Sequence, residues 1–224
     1  MIVGCTFATL GALQRLSSLP PTALSTETPT PIATVGATPT LAPTPAAVVL
    51  YENTFGSDAI DWPNDSRCHL GAGGYHAISS GCITPVGIAS TVDITVRVKQ
   101  LSGPTTYYAG IMLRIGVEGD KRYDVDVDGT GRWIAYRCIG ANSDGKTANC
   151  KTIAGPKTNS AIQRGCGVSN TFEVRAKGTS VQIYDNGTRV GTFPDATYSS
   201  GYIGLVTTVD TEAAFAHFSV SLLN

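Results

Sequence analysis

Residues 91–99 read Thr91-Val92-Asp93-Ile94-Thr95-Val96-Arg97-Val98-Lys99, and polar and apolar side chains alternate along the whole stretch. Successive side chains of a β-strand point to opposite faces, so the alternation predicts a strand with one buried and one polar face. No window of the chain shows a comparable helical period. Similar strands are predicted at 107–115, 121–128, 131–139, 171–177, 180–185, 188–193, 201–208 and 213–222.

The short connections between these strands favour antiparallel pairing. Asn186-Gly187 is the strongest hairpin signal, because a type I′ turn needs positive φ at both of its central residues. Many short antiparallel strands at close spacing indicate a sandwich or a barrel. We therefore predict an all-β fold, an antiparallel β-sandwich of the jelly-roll kind, over residues 48–224.

Composition limits the classes of protein to consider. The chain has 224 residues, of which 42% are hydrophobic and 15% charged, enough to bury one sizeable core. Its formal net charge is −1. Phosphate binding needs a clustered basic surface, and none is visible, so nucleic acid is not expected as a partner.

The cysteines are more typical of disulfides than of a zinc site, since no Cys-x-x-Cys pair occurs and the chain has only 3 histidines. Disulfides in turn imply an oxidising compartment. A bridge from Cys68 to Cys82 would close a loop of about 15 residues and contribute about 3 kcal/mol. Cys138 and Cys150 flank a polar loop and form the next predicted pair. Cys166 is then either free or replaces one partner of the second bridge.

The N-terminal part of the chain does not resemble a packed domain. Residues 19–47 are dominated by Thr and Pro and predict a disordered, extended linker. Within residues 1–18, Ile2-Val3-Gly4-Cys5 resembles a bacterial lipobox, and if the true start lies upstream, Cys5 would be the lipidated first residue of a surface lipoprotein. The alternative is a fragment of an ordinary signal-peptide h-region.

Five short motifs follow one another between residues 50 and 224: Gly73-Gly74-Tyr75-His76, Tyr108-Ala109-Gly110-Ile111-Met112-Leu113-Arg114, Tyr123-x-Val125-x-Val127-x-Gly129, Gly201-Tyr202-Ile203-Gly204-Leu205 and Ala214-Phe215-x-x-Phe218-x-Val220. In this order they resemble the concanavalin A-like lectin/glucanase superfamily, and most closely the laminin-G-like and 3-keto-disaccharide-hydrolase-type domains of bacterial surface proteins. The motifs are mostly structural, so the resemblance implies the fold far more than the function. The last strand of those relatives often reads Phe-Asp-Asn-Phe, whereas in this chain Ala216 and His217 replace the polar pair.

One predicted strand carries a strip of acidic side chains. In Tyr123-Asp124-Val125-Asp126-Val127-Asp128 the aspartates face one way and the aromatic and valine side chains the other. The first interpretation is a solvated outer face with Asp–Arg pairs. The second is a catalytic strip, which resembles the Glu-x-Asp-x-Glu strand of family 16 glycoside hydrolases. The third is a calcium site, but regular two-residue spacing is not that of a calcium loop. No catalytic residue, metal ligand or cofactor is predicted.

Pairing of neighbouring strands would complete a ligand-binding surface around this strip. We expect Tyr108, Arg114, Asp124, Asp126 and Tyr136 to share one face of a sheet. An aromatic plane for the apolar face of a sugar ring, next to charged groups that bind hydroxyls, suits saccharide recognition.

Three other residues are expected to serve the fold. Trp133 is predicted in the core, since a strand rarely leaves a tryptophan exposed without use. Trp62 is expected to plug the edge of the sandwich, with a ligand platform as the alternative. His76 is expected to be simply hydrogen-bonded.

The functional expectation is an extracellular carbohydrate-binding or adhesive module without catalysis, either tethered to the cell surface or secreted. Its partner would be a polysaccharide or a cell-surface glycan, and membrane contact would occur only through the N-terminal anchor. The alternatives are a glycan-processing hydrolase, of family 16 or 3-keto-disaccharide hydrolase type, and a protein-binding or purely structural surface domain.

Overall fold

A computed structural model of the protein describes residues 47–56, 61–84, 86–87, 90–119, 121–140 and 149–223. The predictions for residues 1–46, among them the lipidation of Cys5 and nearly all of the linker, lie outside these ranges. Within them the chain forms β-strands and no helix, and hence no helix able to cross a membrane. The strands are β1 (Val49–Asn53), β2 (Cys68–Gly71), β3 (Gly74–Ile78), β4 (Gly81–Ile83), β5 (Thr91–Ser102), β6 (Tyr108–Ile115), β7 (Lys121–Asp128), β8 (Arg132–Ile139), β9 (Asn149–Thr158), β10 (Ser169–Lys177), β11 (Ser180–Asp185), β12 (Thr188–Pro194), β13 (Tyr202–Thr207) and β14 (Glu212–Leu222).

The strands form two antiparallel sheets. The larger has eight strands in the order β12-β11-β10-β5-β14-β3-β2, with β1 also paired to β14. The smaller has six strands in the order β4-β13-β6-β7-β8-β9. The predicted antiparallel β-sandwich is therefore confirmed, and each strand that alternation predicts is present within a few residues of its predicted bounds.

The core lies between the two sheets and is built from the apolar face of each strand. In β5 the alternation holds along the strand, since Val92, Ile94, Val96 and Val98 are buried and the residues between them are at least partly exposed. From the smaller sheet, the tyrosine and valines of β7 belong to the same buried cluster. The alternating pattern therefore determines which side of each strand meets the opposite sheet.

Two disulfides join neighbouring parts of the sandwich, as predicted. Cys68 is bridged to Cys82, with their Cα atoms 5.9 Å apart, and Cys138 is bridged to Cys150. Cys166 takes part in neither bridge and is not a free thiol. Both alternatives that the sequence leaves open for Cys166 are thereby wrong.

The residues expected to serve the fold do so. Trp133 is buried in the core, and Trp62 is buried against Phe55 and Tyr75, so it acts as a plug rather than as an exposed platform. The Nδ1 atom of His76 lies 2.7 Å from a carboxylate oxygen of Glu212. His76 is thus a hydrogen-bonded residue, as predicted.

Candidate functional site

The candidate site lies on the outer face of the six-stranded sheet. Strand β7 runs between β6 and β8, and because its apolar side chains point into the core, Asp124, Asp126 and Asp128 point outward. Tyr108 of β6 is paired with Asp128, and Tyr136 of β8 is paired with Asp124. We call these five residues the Tyr/Asp face. It brings together four of the residues that the sequence predicts for a ligand-binding surface.

The prediction that Arg114 shares this face is wrong. Arg114 has a φ of 55°, and the register between β6 and β13 shifts beside it. Such a β-bulge turns the side chain away from the side that simple alternation predicts. The buried guanidinium donates hydrogen bonds to the carbonyl oxygens of Tyr198 at 2.8 Å and Gly178 at 2.6 Å. Because Gly178 lies between β10 and β11, Arg114 links the two sheets instead of facing the aspartates.

Asp128 is held by the turn that follows β7. Its Oδ1 accepts hydrogen bonds from the backbone N–H groups of Thr130 and Arg132 and from the Thr130 hydroxyl. Its Oδ2 accepts a hydrogen bond of 2.8 Å from Nε of Arg132. The Arg132 guanidinium also lies 5.6 Å from the centre of the Tyr108 ring. Asp128 is therefore fully engaged, and its charge is balanced.

Asp124 has its own cationic partner. Nε of Arg122 donates a hydrogen bond of 2.8 Å to Oδ1 of Asp124, and both side chains are nearly buried. The other carboxylate oxygen lies 3.3 Å from Sγ of Cys138. Asp124, Cys138 and Cys150 place one potential ligand atom each within 4.8 Å of one another. Both sulfurs are joined in a disulfide, however, so they are not thiolate ligands, and the group is not a metal site.

Asp126 is the acidic residue of this strip that has no partner among the described residues. Its pairing neighbours are Gly110 on β6 and Ile134 on β8, neither of which has a polar side chain. Oδ1 of Asp126 is buried and has no hydrogen-bond partner among the described residues. A Cβ atom on Gly110 would lie 2.6 Å from this oxygen, so the glycine makes room for the carboxyl group. A buried polar atom without a partner is unfavourable unless something else satisfies it.

The two tyrosines lie above Asp126. Tyr108 and Tyr136 belong to the strands on either side of β7, yet their ring centres are only 6.5 Å apart, at an interplanar angle of 80°. Adjacent strands are about 4.8 Å apart, so the flanking strands are separated by about 10 Å and the rings must lean towards each other across β7. Asp126 is only 3% exposed, although it lies on an outer face. The interpretation of the strip as a solvated face is therefore wrong.

Burial changes the acid–base properties of this cluster. It is the main cause that raises the pKa of Asp126 well above its ordinary value, and the neighbouring Asp124 adds to the rise. Burial also raises the pKa of Asp124, although Arg122 opposes this. Burial, followed by the charge of Asp126, raises the pKa of Tyr136 to about 12. Asp126 therefore keeps its proton to a higher pH than an exposed aspartate does.

Arg122, Arg132 and Gly110 are not among the residues that the sequence predicts for the ligand-binding surface. Arg122 precedes the acidic strip, and two-residue spacing from Asp124 would have placed it on the same face. Arg132 follows the turn that contains Gly129 and Gly131, and its side chain comes back to Asp128 only because of that turn. The space provided by Gly110 becomes visible only when β6 and β7 are aligned in register.

No known protein family matches the chain in sequence, and no curated protein matches it. Its fold is similar to the carbohydrate-binding module CBM66 from Bacillus subtilis, with 16% identity over 78% of this chain and 94% of the module and a TM-score of 0.55. A xylan β-1,4-xylosidase from Bacillus halodurans is similar at 14% identity over 82% of this chain but 41% of the enzyme, with a TM-score of 0.54. A candidate glycosyl hydrolase from Parabacteroides distasonis is similar at 12% identity over 77% of this chain and 100% of that protein, with a TM-score of 0.52. At these identities the similarities show a shared β-sandwich fold.

Proposed function

We propose that the protein binds carbohydrate through the Tyr/Asp face and acts as a non-catalytic carbohydrate-binding or adhesive module. The observation that carries this proposal is the buried, unpartnered oxygen of Asp126 beneath the rings of Tyr108 and Tyr136. A site of this kind combines aromatic surface with a polar group that lacks a partner. Saccharides suit it because each ring has apolar C–H faces and hydroxyl groups that donate and accept hydrogen bonds.

The arrangement also determines the order in which a sugar would meet these groups. The tyrosine rings are only partly buried, whereas Asp126 lies beneath them. A sugar ring would stack on an aromatic face first, and a hydroxyl would reach Oδ1 of Asp126 when the two rings move apart. Rotamer changes of partly exposed side chains are fast, so this opening would not prevent binding.

The test is a binding screen with the full chain against immobilised polysaccharides, followed by variants. In Tyr108→Ala and Tyr136→Ala we expect binding about tenfold weaker, equivalent to about 1.4 kcal/mol per ring. The matched control is Tyr184→Ala, because Tyr184 is a partly buried tyrosine in the other sheet, with its ring 4.3 Å from the Arg175 guanidinium. Equal binding by all three variants, with unchanged unfolding, would contradict the proposal.

A second candidate function, glycan hydrolysis, is favoured by Asp124 and Asp126. Residues two apart on a strand are separated by about 6.5–7 Å at Cα, and side chains can close this to the roughly 5–5.5 Å between carboxyl groups used by retaining glycosidases. Asp126, with a raised pKa and no counter-ion in the described part of the chain, would be the acid, and Asp124 beside Arg122 the carboxylate. Against catalysis, Asp126 is buried beneath two rings. Loss of β-glucan turnover in Asp126→Asn, with binding retained, would establish hydrolysis.

We propose an extracellular location, with the domain either secreted or tethered. The disulfides are compatible with an oxidising compartment. A tether through lipidated Cys5 and a Pro/Thr-rich spacer would hold a glycan-binding surface away from the membrane. The mass of the N-terminal peptide of the mature protein decides the question. A lipid adduct on Cys5 would support the tether, and a mature N-terminal peptide without one would refute it.

A further inference from the structure

Each described cationic side chain next to the Tyr/Asp face is already paired with a carboxylate. Arg122 lies against Asp124, and Arg132 against Asp128, at 2.8 Å in each pair. Of the described acidic and basic side chains on this face, only that of Asp126 has no partner of opposite charge. Among the residues that the structure describes, the face therefore provides a surplus hydrogen-bond acceptor and no uncommitted cation.

We infer that the saccharide bound by the Tyr/Asp face is uncharged, and that uronic acids and sulfated sugars are rejected. This inference rests on the proposed carbohydrate binding and names the class of ligand. An anionic group would lose its hydration without gaining a cationic partner, and it would approach a buried carboxyl group. Juxtaposed like charges at an interface cost several kcal/mol, and this second penalty applies whenever Asp126 is ionised.

A neutral sugar avoids both penalties. A hydroxyl group can donate to Oδ1 of Asp126, and it can also accept a hydrogen bond from a tyrosine hydroxyl or from a protonated carboxyl group. This match holds in either protonation state of Asp126. Neutral hydroxyl groups therefore satisfy the orphan oxygen without any change in the two Arg–Asp pairs.

The Arg132–Asp128 pair allows the inference to be tested with a change of one atom. In Asp128→Asn the side-chain oxygen can still accept the backbone hydrogen bonds of the turn, which Oδ1 of Asp128 accepts now. The amide nitrogen would replace the oxygen that faces Arg132 and remove its negative charge. The Arg132 side chain, which is 31% exposed, would then be an uncommitted cation beside Tyr108.

The experiment measures retention of the full chain on a panel of neutral polysaccharides (inulin, arabinan, xylan and mannan) and acidic ones (polygalacturonate, alginate and heparin). For the wild type we expect retention on at least one neutral polymer to exceed that on every acidic polymer by tenfold or more. In Asp128→Asn the ratio of acidic to neutral retention should rise at least fivefold, and 0.5 M salt should remove the gain. Asp93→Asn is the matched control for net charge, because it removes one carboxylate from the other sheet while Arg175 stays paired with Glu173.

The outcomes separate this inference from the function on which it rests. If the wild type is retained on an acidic polymer as well as on any neutral one, the inference is overturned and carbohydrate binding stands. An equal rise in Asp93→Asn and Asp128→Asn also overturns it, because the effect would then not belong to this face. If no polysaccharide retains the wild type or Asp128→Asn, the proposed function itself fails and the inference with it. Urea unfolding of each variant verifies that it is folded.

Discussion

Replacing Asp185 by asparagine is expected to stabilise the protein increasingly as the pH rises from 5 to 8. Asp185 ends β11 with 0% of its surface exposed, and neither carboxylate oxygen has a hydrogen-bond partner among the described residues. Desolvation by burial raises its pKa from 3.8 to about 8. The native state therefore retains the proton over a range in which the unfolded state releases it.

The sign and size of the effect follow from this difference. Below pH 3.8 the residue is protonated in both states, so it imposes no pH-dependent penalty. Between that pH and about 8, unfolding releases a proton, and each pH unit lowers the free energy of unfolding by about 1.4 kcal/mol. Asparagine has nearly the same shape and does not titrate. The stability difference between Asp185→Asn and the wild type should therefore grow by about 3 kcal/mol between pH 5 and pH 7.

Urea unfolding followed by tryptophan fluorescence at pH 5, 6, 7 and 8 measures this difference, because Trp62 and Trp133 are both buried. Comparing variant with wild type at each pH cancels the contribution of other titrating groups, including Asp126. Asp210→Asn is the control for the substitution itself, since Asp210 is exposed. A difference for Asp185→Asn that stays constant from pH 5 to pH 8 would refute the reasoning.

Three further variants test the contacts that hold the sandwich together. Arg114→Ala should lower the free energy of unfolding by about 3 kcal/mol, because buried carbonyl oxygens lose their hydrogen-bond donor. Polysaccharide retention should stay unchanged. Weakened retention in a folded variant would show that Arg114 belongs to the binding site. Gly191→Ala should destabilise by about 1–3 kcal/mol in urea unfolding, since a Cβ there would overlap the Trp133 ring; a neutral result would mean that the ring can move aside. Replacing Cys68 and Cys82 together by alanine should cost about 3 kcal/mol, and a variant as stable as the wild type would contradict the loop-closure estimate.

The alternation of polar and apolar residues predicted which face of most strands is buried. In β5 and β7 each side chain points to the side that a period of two assigns to it, because this orientation is a local property of extended backbone. The same property grouped Tyr108, Asp124, Asp126 and Tyr136 on one face. Short separations likewise identified both predicted disulfides, since cysteines 14 and 12 residues apart in sequence are easily brought together. Cys138 and Cys150 lie on adjacent strands, whereas Cys68 and Cys82 lie in different sheets.

Strand β9 shows where local pattern fails. It lacks regular alternation and contains Gly155-Pro156, so its local pattern does not predict a strand. A proline cannot donate to a neighbouring strand, and β9 tolerates it because it lies at the edge of the sheet, with register shifts in its pairing to β8.

Tertiary structure alone decided how the predicted site residues are partnered and buried. A bulge beside β13 turned Arg114 inward, which alternation within β6 cannot reveal. The paired rings of Tyr108 and Tyr136 buried Asp126 on a face that the sequence marks as polar. Sequence therefore determined the side of the strand on which each group lies, because that depends on the backbone of the strand itself. Charge pairing, burial and the orphan oxygen of Asp126 depend on the neighbouring strands, and only the folded sheet specifies them.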